Sequence, residues 1–328
     1  MSEKVLPICI PPIKGYQFFA YPLSVICTSE DYSPWLYSHF IQLFCNPNDI
    51  LVSFYEPYAW YTTNPWFEFD KINHKSITSF GIDLNEIIID YIDQGYYVLA
   101  IVDEFYVPKR EAFQTFHLEH DILIFGYNRS NKTYNTIGYD NKGVFGQSLT
   151  SFNDFEKAFF NIKNNFILPY TLKNNFHYDF SVATIKEAFI DYLYSKNTSS
   201  RLLQLDERHY FSDHVFGLDT YDHLIRYFKL LLEKRVKYDI RSIHFLSEHK
   251  NCMLSRIEYL GRHGYLKDSH KFFEEFNIIN NNIKISKNLQ MKYLFTKKES
   301  AIQRITNILQ ETAMIERSLF EEMITKLS

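Results

Sequence analysis

Hydrophobic and polar positions fall into two regimes along the chain. Up to about residue 170, short apolar runs alternate with turn residues, and all ten prolines lie in this half. From about residue 180, apolar residues recur at three- and four-residue spacing over long stretches, the period of an amphipathic helix. In the first regime Ser33-Pro34 opens a predicted helix, with Ser as cap and Pro in the first turn. The run Trp35 to Phe44 then puts Leu36, Phe40, Leu43 and Phe44 on one face. Asp83 to Gln94 is a second helix, capped by Asp83, with Leu84, Ile87, Ile88 and Tyr91 as its apolar face and Gly95 just past its end. Tyr96 to Val102 (YYVLAIV) is a nearly unbroken apolar run, as expected for a strand covered on both faces. Asp121 to Tyr127 (DILIFGY) and Thr133 to Tyr139 (TYNTIGY) flank the polar turn NRSNK and so predict a hairpin, which Asp140-Asn141-Lys142-Gly143 ends with turn residues. Phe152 to Ile162 reads as helix.

The second regime predicts helices over Val182 to Tyr194, Thr220 to Lys234, Ile240 to Leu260 and Ser300 to Leu327, with Asn277 to Asn288 (NIINNNIKISKN) as a polar loop. No fixed-period repeat is present, which excludes a solenoid. The pattern therefore predicts an α+β fold: a domain over 1–170 with a small antiparallel sheet, then a mostly helical domain over 171–328.

Composition adds limits. Aromatic residues reach 18%, while Gly and Pro number only ten each. That balance points to a packed chain and away from disorder or low-complexity linkers. The formal charge of -4 supplies no basic surface for a nucleic acid. No run has the 18 or so apolar residues of a membrane helix, and the first residues show no charged-then-apolar signal region. The four cysteines are scattered without a CxxC pair. The expectation is a cytoplasmic protein with reduced, mostly buried thiols. Neither GxGxxG nor GxxxxGK[ST] occurs, so no nucleotide cradle is signalled. Phe116 to His120 (FHLEH) is a near miss to the zinc pattern HxxEH, with Phe116 where the first His belongs. Since zinc wants three or four protein ligands, no metal is expected.

One constellation could carry chemistry. A cysteine acyltransferase or hydrolase needs a thiol beside a His, a polar group to orient that His, and dipoles for the oxyanion. Cys27 lies just ahead of the helix at Ser33, His120 starts the DILIFGY strand, and Asp140 ends the strand paired with it. Residues at the open end of a hairpin face each other, so His120 and Asp140 are expected to meet. His117 is the rival base, Asn135 the rival orienter and Cys45 a weaker rival nucleophile. Cys45 would sit at a helix end, where the dipole opposes a thiolate. Farther on, His244, Glu248, His249 and Lys250 at helical spacing read as a solvated face.

The segments GYYVLAIVDEFYVP, HLEHDILIFGYN and NTIGYDN resemble the N-terminal domain of the butirosin-type acyltransferases, papain-fold relatives of the double-glycine leader peptidases. FGLDTYDHLIRYFK and YDIRSIHFLSEHKNCMLSRIEYL resemble the helical region that follows it, and GYQFFAYPLSVICTSEDYSPWLYSHFIQLF resembles its start. Within that family the closthioamide-type amide synthase is the nearest in character. The resemblance spans Gly15 to Leu260 and implies a papain-like, leader-peptidase-like fold. It implies a cysteine acyltransferase that moves an acyl group from a carrier protein's phosphopantetheine thioester to a small amine or diamine, without ATP. Cys27, His120 and Asp140 would form the triad, and Gln17, Tyr21 or a backbone N–H would serve the oxyanion or the substrate; because the resemblance includes the stretch YDIRSIHFLSEHK, Arg241 and His249 are minor site candidates. The protein would need no cofactor of its own beyond the arm on its acyl or peptidyl carrier partner. A homo-oligomer stays open, with no nucleic acid or membrane partner.

Two departures keep alternatives open. The family places its nucleophile directly at a helix start, where this chain has Asp31, Tyr32 and Ser33. Papain-like enzymes also carry a Gln shortly before the Cys, whereas Gln17 precedes Cys27 by ten residues. A peptidase or thioesterase on the same triad, or a papain-like binding module without a nucleophile, are the alternatives.

Overall fold

The computed structural model describes residues 1–48, 51–202 and 210–328. In chain order the elements are β1 (Glu3–Val5), α1 (Gln17–Ile26), α2 (Tyr32–Ser38), β2 (Leu43–Cys45), β3 (Val52–Phe54), β4 (Phe67–Phe69), β5 (Ile72–Asn73), α3 (His74–Ser79), α4 (Leu84–Asp93), β6 (Tyr97–Asp103) and β7 (Glu119–Asn128). They continue with β8 (Thr133–Tyr139), β9 (Phe145–Ser151), α5 (Phe152–Phe160), β10 (Phe166–Leu172), α6 (Val182–Leu193), β11 (Val215–Phe216), α7 (Thr220–Leu232), α8 (Arg241–Arg262), α9 (Ser269–Thr296) and α10 (Glu299–Lys326). The fold is mixed α+β, with an antiparallel sheet and a helical C-terminal region. Among the described residues no helix is long and apolar enough to cross a membrane.

The chain forms two compact units. One joins Met1–Tyr32 to Tyr58–His177; the other joins Ser33–Pro57 to Tyr178–Ser328. The division thus differs from a single cut at residue 170, because Ser33–Pro57 folds with the helical unit. There β2 pairs with β11 and β3, and the Arg256 guanidinium donates to the carbonyls of Tyr37, His39 and Phe40. That capture of carbonyls also explains why α2 stops at Ser38, short of the predicted Phe44. Phe40 is in the left-handed region (φ 53°), and Leu43–Cys45 turns into strand.

In the first unit the sheet runs β4-β10-β6-β7-β8-β9, with β1 added to β7 and β5 to β10, all antiparallel. β6 and the middle of β7 are buried almost residue by residue, as the unbroken apolar runs require when both faces are covered. α1 packs on β7 and β8, α4 on β6 and β7, and α5 on β6 and β9. Asp83 caps α4 as expected, accepting from the N–H groups of Asn85 and Glu86. α1 escaped the sequence pattern because nearly all its residues are buried and Pro22 lies inside it, so it shows neither a polar face nor helix-forming composition.

In the second unit α9 replaces the predicted loop over Asn277 to Asn288. Its buried stripe, Phe272, Phe276, Ile279, Ile283, Ser286 and Gln290, holds the helical period, and the asparagines fall mostly outside it. The face of α8 expected to be solvated is buried at Glu248, His249 and Lys250, because β3 and α9 both pack on this helix. Lys250 Nζ donates to Glu316 Oε1 at 2.6 Å and to the Tyr192 hydroxyl at 2.8 Å. The hydroxyls of Tyr192 and Tyr221 also donate to the Glu316 carboxylate, at 3.0 and 2.7 Å. This cluster ties α6, α7, α8 and α10 together out of water. Burial pulls the Lys250 ammonium below its ordinary value, against the opposing pull of Glu316.

Removing one partner of a buried, bonded charge pair costs far more than removing an exposed one, because the survivor stays desolvated. Lys250→Met is therefore expected to lower unfolding free energy by about 3–5 kcal/mol in urea titrations. Lys271→Met, which breaks an exposed pair with Glu322, should cost much less. Equal losses would refute the role given to the Lys250–Glu316 cluster.

Candidate functional site

The site candidates in the first unit gather at the N-terminal end of α1. Gln17 is the first residue of that helix and is 4% exposed. Its side chain is fixed at both ends. Nε2 donates to the Asp121 carboxylate at 2.9 Å and the Asp121 carbonyl at 3.1 Å, and it lies 3.0 Å from His120 Nδ1. Oε1 accepts from the Tyr139 N–H at 3.1 Å and from Arg110 at 3.4 Å. One turn along α1, the Tyr21 hydroxyl donates to the same Asp121 carbonyl at 3.1 Å. Burial pushes the Tyr21 phenol well above its ordinary range.

His120 lies on β7 opposite Val102, the residue before the Asp103-Glu104 end of β6. That register puts the imidazole against Glu104, whose buried carboxylate is 3.0 Å from Nδ1. Nε2 faces the Asp121 carboxylate at 3.6 Å, and the ring is 44% exposed. Burial opposes charging of this imidazole, but the hydrogen bond that it donates to Glu104 and the nearby Asp121 charge outweigh it, so its pKa is raised. Arg110, 4% exposed, sits 3.9 Å from Glu104 and balances that carboxylate.

The predicted triad is not assembled. Cys27 is the C-cap of α1. At 1.5 Å per residue, ten residues put it roughly 15 Å along the helix axis from Gln17, which touches His120. It is also joined to Cys9 in a disulfide, with Cα atoms 6.2 Å apart. The expectation of four reduced, mostly buried thiols thus holds only for the buried Cys45 and Cys252. Asp140 is spent on its own turn, accepting from the N–H groups of Val144 and Lys142 at 2.9 Å, and those bonds hold its carboxyl below the usual range. Among the described residues no hydrogen bond or ion pair joins Asp140 to His120.

The hairpin argument for that pair fails for a local reason. The β7–β8 ladder pairs Leu123 with Ile137 and stops there. Continued by three residues it would bring His120 opposite Asp140. Instead Arg110 donates to the Ile137 and Tyr139 carbonyls, and Gln17 takes the Tyr139 N–H. These two side chains occupy the ladder bonds that β8 would have offered. A Cβ at Gly138 would fall on the Arg110 guanidinium, so the wedge needs glycine there.

The rivals are elsewhere. His117 Nδ1 lies 2.6 Å from Asp103 Oδ2 and the ring stacks on Phe105, so the two histidines of the zinc-like motif turn to different carboxylates. Asn135 pairs in the β8 ladder opposite Gly126, away from His120. Cys45 is in β2 rather than at a helix end, and it belongs to the other unit. His249 is fully buried and donates to the Ile41 carbonyl, while Arg241 pairs with Asp239. Among the described residues no group of three or more His, Cys, Asp or Glu is placed to hold a metal.

Sequence reading missed Glu104, Arg110 and Asp121. A faint signal existed: Asp103-Glu104 is an acidic pair directly after a buried apolar strand, and Asp121 is the neighbour of His120. A cluster of aromatic rings begins at the same end of α1. Tyr16 and Phe18 flank Gln17 with centroids 5.3 Å apart, Phe18 is 5.8 Å from Trp60, and Trp60 stacks on Tyr61 at 4.7 Å. Trp60 is 41% exposed. No protein-family model matches this sequence, and no curated protein matches it.

Because carboxylates stabilise the charged ring, a proton NMR titration should give His120 a midpoint above the ordinary 6.5. Its stabilising contribution is present at low pH and lost as pH rises through that folded midpoint. Glu104→Gln should move the midpoint down; an unchanged midpoint would show that the carboxylate does not hold the ring.

Proposed function

We propose that the first unit is a papain-like module that binds the acyl group of a carrier-protein thioester without capturing it covalently. The observation that carries this reading is the identity of the residue facing His120 at the start of α1. An amide, Gln17, occupies that place. An amide nitrogen has no free lone pair for attack on a thioester, and this one is already bonded to Asp121. An acyl-enzyme route through Cys27 would need its thiolate beside an imidazole, and Cys27 stands at the far end of the helix.

Binding asks less of the same groups. The imidazole, favoured in its charged form, offers a donor to a thioester carbonyl at a half-exposed position. Tyr16, Phe18 and Trp60, a ring cluster that includes both sequence neighbours of Gln17, offer flat apolar faces for an acyl or aryl chain. The family resemblance supplies the donor class, an acyl group on a phosphopantetheine arm, and the carrier protein as partner.

A second reading is favoured by the Glu104–His120 pair itself. An accessible imidazole backed by a buried carboxylate is the arrangement that moves a proton. In this reading an acceptor amine attacks the thioester carbon directly, the C–S bond breaks, and His120 passes the amine's proton to the departing thiolate.

One experiment separates these readings. The chain is incubated with an acyl-pantetheine thioester, with and without a diamine, and followed by intact-protein mass spectrometry, product analysis and Trp fluorescence. Binding without adduct or turnover is expected, and Cys27→Ala should likewise give neither adduct nor turnover. Trp60→Ala should weaken binding about fivefold, the equivalent of roughly 1 kcal/mol of ring contact. Amide formed in Cys27→Ala but lost in His120→Ala would instead establish the second reading. An acyl adduct on Cys27 would overturn both.

A further inference from the structure

The segment between β1 and α1 is a strap that leads directly into the candidate site. It runs from Pro7 through Cys9 and Ile13 to Tyr16, the N-cap of α1, and Gln17 follows. Cys9 is tied to Cys27 at the opposite end of that helix. Both cysteines are half-buried, whereas Cys45 and Cys252 are 1% and 2% exposed. Of the four, only this pair is both adjacent and open to a reagent from solution.

The strap has anchors that do not depend on the sulfurs. The Cys9 N–H donates to the Ser24 carbonyl at 3.1 Å, and the Leu6 N–H to the Phe125 carbonyl at 2.8 Å. The hydroxyls of Tyr97 and Tyr139 donate to the carbonyls of Pro7 and Lys14. Leu6 and Ile13 are buried. With the disulfide open, these contacts keep the two cysteines at the separation that lets it close again.

We propose that Cys9–Cys27 is a reversible thiol–disulfide exchange site, worked by dithiol reductants, that fastens and releases the strap on α1. A reductant thiolate attacks one sulfur, the S–S bond breaks, and the other sulfur leaves as a thiolate. Cys27 lies at the negative end of the helix dipole, which disfavours its thiolate, so attack falls on Cys27 and Cys9 departs. The reductant's second thiol then displaces Cys27 from the mixed disulfide. The protein ends with two thiols, and the reductant with one disulfide. Release loosens the segment feeding Tyr16 and Gln17, which couples redox state to the end of α1 that meets His120. The proposal does not depend on the binding reading above.

The full-length chain is equilibrated across a ladder of reduced and oxidised dithiothreitol, quenched with a maleimide, and mapped by mass spectrometry. Near-UV circular dichroism is recorded alongside. Two maleimides are expected to appear together, at Cys9 and Cys27, while the fold is intact and Cys45 and Cys252 stay unlabelled. Oxidised reagent should remove both labels. Hydrogen exchange at the Cys9 amide should quicken about tenfold or more on reduction, and Cys9→Ser should show the fast rate in either condition. Labelling that appears only when the circular dichroism signal is lost would overturn the proposal. So would thiols that oxidised reagent fails to close, or an exchange rate that reduction leaves unchanged.

Discussion

The Gln17 amide, held between the ends of two strands, sets the arrangement of everything around it. Strands β7 and β8 separate after Leu123 and Ile137, and a separated pair exposes backbone groups that must find partners. Gln17 meets one from each side, the Asp121 carbonyl and the Tyr139 N–H, with Arg110 taking the carbonyls of Ile137 and Tyr139. A side chain with a donor and an acceptor on one planar head suits this position. Because α1 supplies it, the helix is drawn down by its first turn onto the sheet. His120 and Glu104 are then brought against the same end by the β6–β7 register.

Charge follows from that packing. Glu104 and Asp121 flank the imidazole, and Arg110 stands behind Glu104. With the imidazole protonated, two carboxylates, a guanidinium and an imidazolium sum to zero, which lowers the electrostatic penalty of half-burying the cluster. In the helical unit, Lys250 and Glu316 reach the same neutrality in a fully dry setting, with two tyrosine hydroxyls completing the carboxylate. The difference is access. The Lys250 cluster is closed and ties helices together; the His120 cluster keeps an edge of its ring in water.

How much of this the sequence disclosed depended on whether a residue's role was local. Period and caps are local, so α4 with its Asp83 cap, the β7–β8 hairpin and α6, α7, α8 and α10 were readable within a residue or two. α1 was not, since burial on all sides and Pro22 erased its pattern. α9 was hidden by its asparagines, although Ile279 and Ile283 kept the helical step. At the site, Gln17, Tyr21 and His120 were named and do converge. Cys27 and Asp140 were chosen because their order and spacing suit a triad, and order says nothing of which end of a helix faces a sheet. Glu104 had only the faint signal of an acidic pair after a buried strand, and Arg110 was out of reach because it acts through a strand divergence that no linear pattern signals.

That divergence bears on chemistry. A papain-like nucleophile and a strand-closing amide compete for one place, the first turn of the helix opposite the histidine. A thiol there would be a weak donor and a weak acceptor, a poor substitute for the amide that bonds both the Asp121 carbonyl and the Tyr139 N–H. A thiolate would also add a negative charge to a cluster that is already balanced. The Gln17 amide satisfies both strands and adds no charge. In the reading we propose, a histidine and its carboxylate, with the sheet closed by an amide, suit holding a ligand or moving a proton better than covalent capture.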